Sequence, residues 1–313
     1  MTEYLTADQL TARTEHAIAT AAEAARDLGV EVTDPTALYD AFSVVVHLKP
    51  SPVVARIPIV LPPEYDPATQ AGRQRTELDV VAWLLGQGHP VVPPSPLVPL
   101  EPVRRDGLSM TFWQYVEVAG EPDWAENTRR SADLHQALAE YQGALQWMAP
   151  INNVVPQALA ALEGKPELLD PADLDRAKRE WELLEPVLGS RAGWEREFPT
   201  ATVQPIHGDA PAYNMIMVGD GALWADFEDV TAGPVEWDFA LFPPEIAELY
   251  NEAAEKLGMR GLDERALAVM GAARNLQVVA CMPLVPQFPA LGEGLQPVID
   301  GWRASPLAGG LAD

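Results

Sequence analysis

The period of apolar residues changes several times along the chain, and the changes lay out its elements. Residues 6–28 are rich in alanine, with Thr6 or Asp8 placed to cap a helix and Gly29 placed to end it. Residues 39–48 (YDAFSVVVHL) and 53–60 (VVARIPIV) are β-branched runs parted by Lys49-Pro50-Ser51-Pro52, which predicts an antiparallel pair whose second member is limited by Pro58. A proline-rich loop over 61–67 leads to a helix over 68–85, where Leu78, Val81, Ala82 and Leu85 recur at helical spacing before Gly86 and Gly88. The six prolines of 89–103 force irregular or edge structure, and 110–118 (MTFWQYVEV) reads as a further strand. From Pro122 onward helical periods dominate: a long amphipathic helix over 127–148, shorter ones over 156–162 and 173–188, then 244–257, 263–279 and 291–302. One hairpin interrupts them, with short apolar strands at 214–218 and 222–225 joined by Gly219-Asp220-Gly221.

Composition narrows the classes. The chain has 313 residues, 48% of them hydrophobic, enough for one large or two ordinary domains. Its 46 acidic and 21 basic side chains give a net charge of −25, a field that repels nucleic acid and anionic membranes and slightly favours cationic partners. The single cysteine, Cys281, excludes an internal disulfide framework and a cysteine-based metal site, and its apolar surroundings make it a small buried hydrophobe. The N-terminal residues carry no apolar signal region, and no run approaches the roughly 18 apolar residues of a membrane span, so a cytoplasmic location is expected.

The chemistry concentrates at the hairpin. One end carries His207, Asp209 and Asn214, and the second strand runs into Asp226 and Glu228. Folding the hairpin turns these groups toward one another. Carboxylates and a carboxamide, with at most one imidazole and no thiolate, are hard oxygen ligands that suit Mg²⁺ better than zinc.

The spacing H-x-D-x(4)-N, followed twelve residues later by Asp226, is that of the catalytic loop and metal-binding aspartate of kinase-type phosphotransferases. HGDAPAYN, WADFED and GPVEWDFA, three ordered motifs within 206–240, resemble those of the aminoglycoside phosphotransferase/choline kinase-like small-molecule kinases. The resemblance implies a bilobal, protein-kinase-like α+β fold, with an antiparallel-sheet nucleotide lobe over 1–117 and a mostly helical catalytic lobe over 118–313. It implies direct, in-line phosphotransfer from ATP or GTP to a hydroxyl of a small molecule. Asp209 would be the catalytic base, Asn214 and Asp226 would hold Mg²⁺, and His207 and Asp238 would brace the loop. By position, Arg56 would be the phosphate-binding cation, Glu77 its helix partner, and Gln114, Tyr115 and Val116 part of the adenine-binding hinge. Glu228 would touch metal through water, position substrate, or sit solvated.

Each residue also has a structural reading: Asp209 as a turn cap before Pro211, Asn214 as a turn residue, Arg56 as an edge arginine reaching water, Glu77 as a surface helix charge, and 112–116 as a core strand. His135, Trp147 and Met148 fit core packing. The phosphate-covering turn, residues 38–43 (LYDAFS), has no glycine where the family places small residues, so the alternative is a catalytically degenerate kinase-like protein that binds nucleotide or small molecules. A magnesium-dependent phosphohydrolase is a third reading. Gly233-Pro234 follows Asp229 too closely for a protein-kinase activation segment. The acceptor is expected in the helical insert 121–190 and the C-terminal helices, and Glu236, Glu245 and Glu248 point to a cationic one.

Overall fold

The computed structural model describes residues 2–62, 65–219, 221–240 and 242–311. Pro63 and Glu64 of the expected loop and Asp220 of the expected hairpin turn lie outside them.

Helix α1 (Ala7–Asp27) begins with a reciprocal cap, in which Thr6 N donates to the Gln9 side chain and Gln9 N donates to Thr6 Oγ1. Its alanine face (Ala17, Ala21, Ala24, Ala25) has no bulk to hold it off, and it packs on a five-stranded antiparallel sheet of order β1-β2-β3-β5-β4. These strands are β1 (Val32–Asp40), β2 (Ser43–Pro50), β3 (Val53–Pro58), β4 (Val103–Arg105) and β5 (Leu108–Gln114). The run 39–48 is therefore not one strand: the chain turns at Ala41-Phe42, and a whole strand precedes the turn. That strand, β1, escapes a periodicity reading because it lies at the sheet edge and is mostly exposed, so it needs no apolar face and tolerates Pro35. On β2 and β3, Val44, Val46, Leu48, Val53, Ala55 and Ile57 join the α1 core, and the alternate positions, Arg56 among them, take the opposite face. Helix α2 (Pro67–Gly86), capped by Asp66 with Pro67 in its first turn, crosses between β3 and β4.

The remainder is mostly helical: α3 (Trp124–Leu138), α4 (Ala149–Asn152), α5 (Val155–Leu162), α6 (Pro171–Leu188), α7 (Arg191–Glu197), α8 (Pro244–Lys256), α9 (Glu264–Val279) and α10 (Ala290–Ala304). The long helix expected over 127–148 stops at Leu138. Residues 139–147 bury little, and tertiary pairing takes the chain instead: Trp147 bridges Ala232, and Ala149 N donates to Thr231 Oγ1. Two short ladders sit among the helices, β6 (Val203–Ile206) with β9 (Thr231–Pro234), and β7 (Met215–Val218) with β8 (Gly221–Trp224), the expected hairpin.

Three apolar clusters result. One lies between α1 and the sheet, and takes in Leu284, Val285 and Leu291 from the C-terminal segment. A second lies under α2 against the β7–β8 hairpin, and the largest fills the helical part around Trp194, Trp237 and Trp302. The stretch Glu264–Leu284, with mean hydropathy 1.3, has the length and composition of a membrane span, contrary to the expectation that no run would; here it forms α9 and the turn after it, with Val269, Met270, Ala273 and Leu276 in the helical core.

Candidate active site

Strand β6 delivers the chain into His207-Gly208-Asp209, and a buried carboxylate holds this corner. Asp238 Oδ2 accepts from His207 N at 3.0 Å and Oδ1 from Gly208 N at 2.8 Å, while Trp237 Nε1 donates to Gly208 O at 2.7 Å. Burial alone would raise the Asp238 pKa, but His135, at 3.0 Å through Nε2, and the backbone donors outweigh it and hold the carboxyl below its usual range. His135 is itself fixed by Tyr250 Oη at 2.9 Å from Nδ1. His207 Nε2 meets Ala225 O at 3.0 Å, and its Nδ1 accepts from Asp209 N at 3.3 Å, so the ring ties the loop to the end of β8. Gly208 sits at φ +90°, where an added Cβ would meet Asp229 O at 1.9 Å.

Asp209 follows, half exposed, and Ala210 takes a left-handed conformation before a 3₁₀ turn over Pro211–Tyr213. Asn214 Nδ2 donates to Asp209 O at 2.6 Å and lies 3.4 Å from Asp209 Oδ2, which leaves the carboxamide oxygen as the end able to meet a cation. Asn214 O accepts from Ala225 N at 2.8 Å, placing Asp226 next to it across the ladder. Asp226 is left-handed (φ +61°), an uncommon conformation that an aspartate tolerates. Strand β8 does not continue past it as expected, because Phe227–Asp229 forms a 3₁₀ turn. Glu228 therefore reaches the site by a turn of the backbone, not by sharing a strand face with Asp226.

Arg56 meets these groups from the sheet. It sits on β3, a central strand, with Nη2 2.8 Å from Asp226 Oδ1 and 3.0 Å from Glu228 Oε1, and Nη1 3.9 Å from Glu77 Oε2. Burial would weaken the cation, but Glu228, Asp226 and Glu77 outweigh that and raise its pKa. Burial pushes Glu77 up to about 8 against the pull of Arg56, and it raises Asp226 as well. Glu228 stays below its ordinary value because Arg56 overcomes its burial.

The hinge residues sit differently from one another. Strand β5 ends at Gln114, short of the expected 118: Gln114 N donates to Pro93 O at 2.9 Å and Tyr115 N to Pro52 O at 3.0 Å, so both amides are committed and Val116 is the first residue beyond them. The Tyr115 ring stacks on His47 of β2 at 3.9 Å.

Other participants were not read from the sequence. Arg73 Nη2 donates to Asp229 Oδ1 at 2.6 Å, and burial nevertheless raises Asp229 to about 6. Arg274 of α9 reaches toward Asp209 Oδ1. Arg73 is four residues before Glu77 on the same helix face, and Arg274 is an arginine set among apolar residues in the middle of α9; those were the available signals. Glu236, by contrast, is buried and accepts from Asp263 N at 3.0 Å, so it braces the start of α9 rather than facing an acceptor. A cavity of about 570 Å³ opens beside the cluster, bounded by Phe42, Arg73, Asn153, Glu228, Asp229 and Gln277.

The donor set fits magnesium. Asp226 Oδ1 is buried and, although close to Arg56, makes no aligned hydrogen bond. A carboxylate and a carboxamide oxygen suit an ion that takes one or two protein oxygens and leaves the rest to phosphate and water.

No family model and no curated protein sequence matches the chain. Solved structures do. A microcompartment-associated aminopropanol kinase superimposes with TM-score 0.61 at 17% identity over 91% of this chain and 94% of its own. The choline kinase LicA from Streptococcus pneumoniae gives 0.63 at 14% over 90% and 97%. The streptomycin–ATP ternary complex of the phosphotransferase APH(2″)-IIa gives 0.53 at 14% over 87% and 94%. The chain has their bilobal, protein-kinase-like fold. In this fold the sheet with α1 and α2 stands over the β7–β8 hairpin, and Arg56 spans the gap between the two parts.

Proposed function

We propose that this chain belongs to the aminoglycoside phosphotransferase/choline kinase-like enzymes and transfers the γ-phosphoryl group of ATP or GTP to a hydroxyl of a small molecule. The observation that supports this most is the meeting of Asp209, Asn214 and Asp226 at one end of the β7–β8 hairpin, opposite Arg56. In this reading residues 1–117 grip the nucleotide and 118–313 carry the catalytic loop and the acceptor, which enters the cavity beside Asp229. Asn214 and Asp226 would hold Mg²⁺, whose charge offsets that of the phosphates. Arg56 would leave Asp226 and turn its fork to the α/β-phosphates, keeping Glu77 behind it.

Asp209 would orient the acceptor hydroxyl and take its proton as the oxygen attacks phosphorus. The bond to the β–γ bridging oxygen breaks, and its electron pair leaves with the nucleoside diphosphate. Positioning and charge carry most of the rate in such transfers. His207 and Asp238 would act by fixing the loop.

A nucleotide- or ligand-binding role without turnover is favoured by one feature, the glycine-free turn before β2. There Asp40 accepts from Thr14 Oγ1 at 2.7 Å, and Phe42 O accepts from Ile59 N and Val60 N, so the turn is pinned by its own chain. Phosphorylation of a panel of amino alcohols, aminoglycosides and sugars, with Mg²⁺ and ATP or GTP, separates the two. Turnover that Asp209→Asn lowers by at least about a thousandfold supports the kinase; nucleotide binding with no acceptor phosphorylated supports the binding protein.

A further inference from the structure

Arg274 lies on α9, far along the chain from the catalytic loop, yet its guanidinium is held from several sides. It lies over the Trp237 ring at 4.1 Å, Nη2 donates to Gly208 O at 3.2 Å, and Nη1 donates to Gln277 Oε1 at 2.8 Å. Gln277 is anchored in turn, its Nε2 donating to Pro150 O at 3.1 Å. The Arg274 side chain is 12% exposed, whereas that of Asp209 is 50% exposed, and the two approach at 3.5 Å between Nη1 and Oδ1. A rigid planar cation therefore stands beside a carboxylate with few restraints of its own. The other Asp209 oxygen is near Asn214 Nδ2. A lysine could supply the charge here but not the planar fork that meets Gly208 O through one nitrogen and Gln277 and Asp209 through the other.

We propose that Arg274 is the positioning residue for Asp209. It holds Oδ1 in one direction so that Oδ2 is presented to the acceptor hydroxyl, and it acts through Asp209 without binding the nucleotide. This rests on the reading of Asp209 as the proton acceptor. It goes beyond the sequence motifs, which hold no cation for this purpose.

The test has a kinetic and a structural arm. Arg274→Gln should lower kcat by about ten- to a hundredfold while the KM for nucleotide stays within about twofold, and Arg274→Lys should recover less than half of the loss on a logarithmic scale. In an Asp209→Asn background Arg274→Gln should change residual turnover by less than about twofold, since its effect runs through the missing carboxylate. A raised nucleotide KM, or an equal further loss in that background, would overturn the proposal, because Arg274 would then be acting on phosphate directly. For the structural arm, a crystal structure of Arg274→Gln should show the Asp209 carboxylate turned away or spread over several rotamers, with the His207 and Gly208 bonds to Asp238 intact. An unmoved carboxylate would also overturn it. Should wild type phosphorylate nothing, the functional reading fails by itself, and the crystal structure still decides whether Arg274 sets Asp209.

Discussion

Glu77 is 1% exposed and faces a cation from 3.9 Å, too far for a strong hydrogen bond. Burial therefore outweighs Arg56 and raises its pKa from 4.5 to about 8. The sign follows from linkage. Below the unfolded pKa both states carry the proton; as pH rises toward the folded pKa the unfolded chain releases it and the native one does not, so stability falls across about pH 4.5 to 8 and then levels. Glu77→Gln removes the titration. Its stability relative to wild type should climb over that window by an amount on the order of a few kcal/mol and flatten above it, read by urea unfolding without nucleotide or magnesium. A difference independent of pH would mean that Glu77 is ionised throughout and firmly paired with Arg56. At this scale the loop was legible because its partners are local: His207, Gly208, Asp209, Asn214 and Asp226 lie on one short stretch, and Gly208 is required by the approach of Asp229 O. Arg274 was not, because nothing in a sequence brings α9 back to residue 209.

Among the elements, α2 links the sheet to the site, and its buried face changes character along its length. Gln70, Arg73, Gln74 and Glu77 form a polar stripe at helical spacing, and Leu78, Val81 and Leu84 continue it as an apolar one. The polar half meets other polar groups: Gln74 exchanges hydrogen bonds with Ser109, and Arg73 donates to Asp229 and, at 3.5 Å, to Glu228 O. The apolar half packs on the β7–β8 hairpin. Removing the tether should therefore loosen one half only. In Arg73→Gln, amide hydrogen exchange over 67–77 should quicken by about tenfold, equal to about 1.4 kcal/mol of local opening, with 78–86 unchanged. Uniform quickening along the helix would show that packing, not the Arg73–Asp229 pair, sets its order. The apolar half of α2 was readable from its period, whereas the polar half looks like an exposed face until a partner is known. The edge strand β1 and the four-residue ladder of β6 and β9 were hidden for a related reason: with Pro35, Pro205 and Pro234 inside them, pairing holds them rather than any apolar pattern of their own.

For the molecule as a whole, two parts do not mean two independent folding units, because residues 281–295 cross back to the sheet. Leu284, Val285 and Leu291 enter the α1 core, Leu5 N donates to Pro286 O, Arg13 Nη1 donates to Gln287 O, and Gln287 Nε2 donates to Leu61 O. Phe288 meets Phe42 edge-on at 5.9 Å, so the same segment supports the turn that would cover the phosphates. Helix α10 meanwhile packs against α9 and puts Ile299 and Trp302 into the helical core, so one short segment belongs to both cores. Unfolding the sheet would strip apolar cover from the C-terminal helices and the reverse, which couples the two. Heat should melt the ligand-free chain in a single transition. Leu291→Ala, which opens a cavity at this junction, should lower that one midpoint, by about 2–3 kcal/mol of stability, without dividing the transition. A calorimetric trace that splits, with the helical part melting where it does in wild type, would show that the segment is merely appended to the sheet. The turn under Phe288 would then be free to move independently of the helices that carry the His207–Asn214 loop.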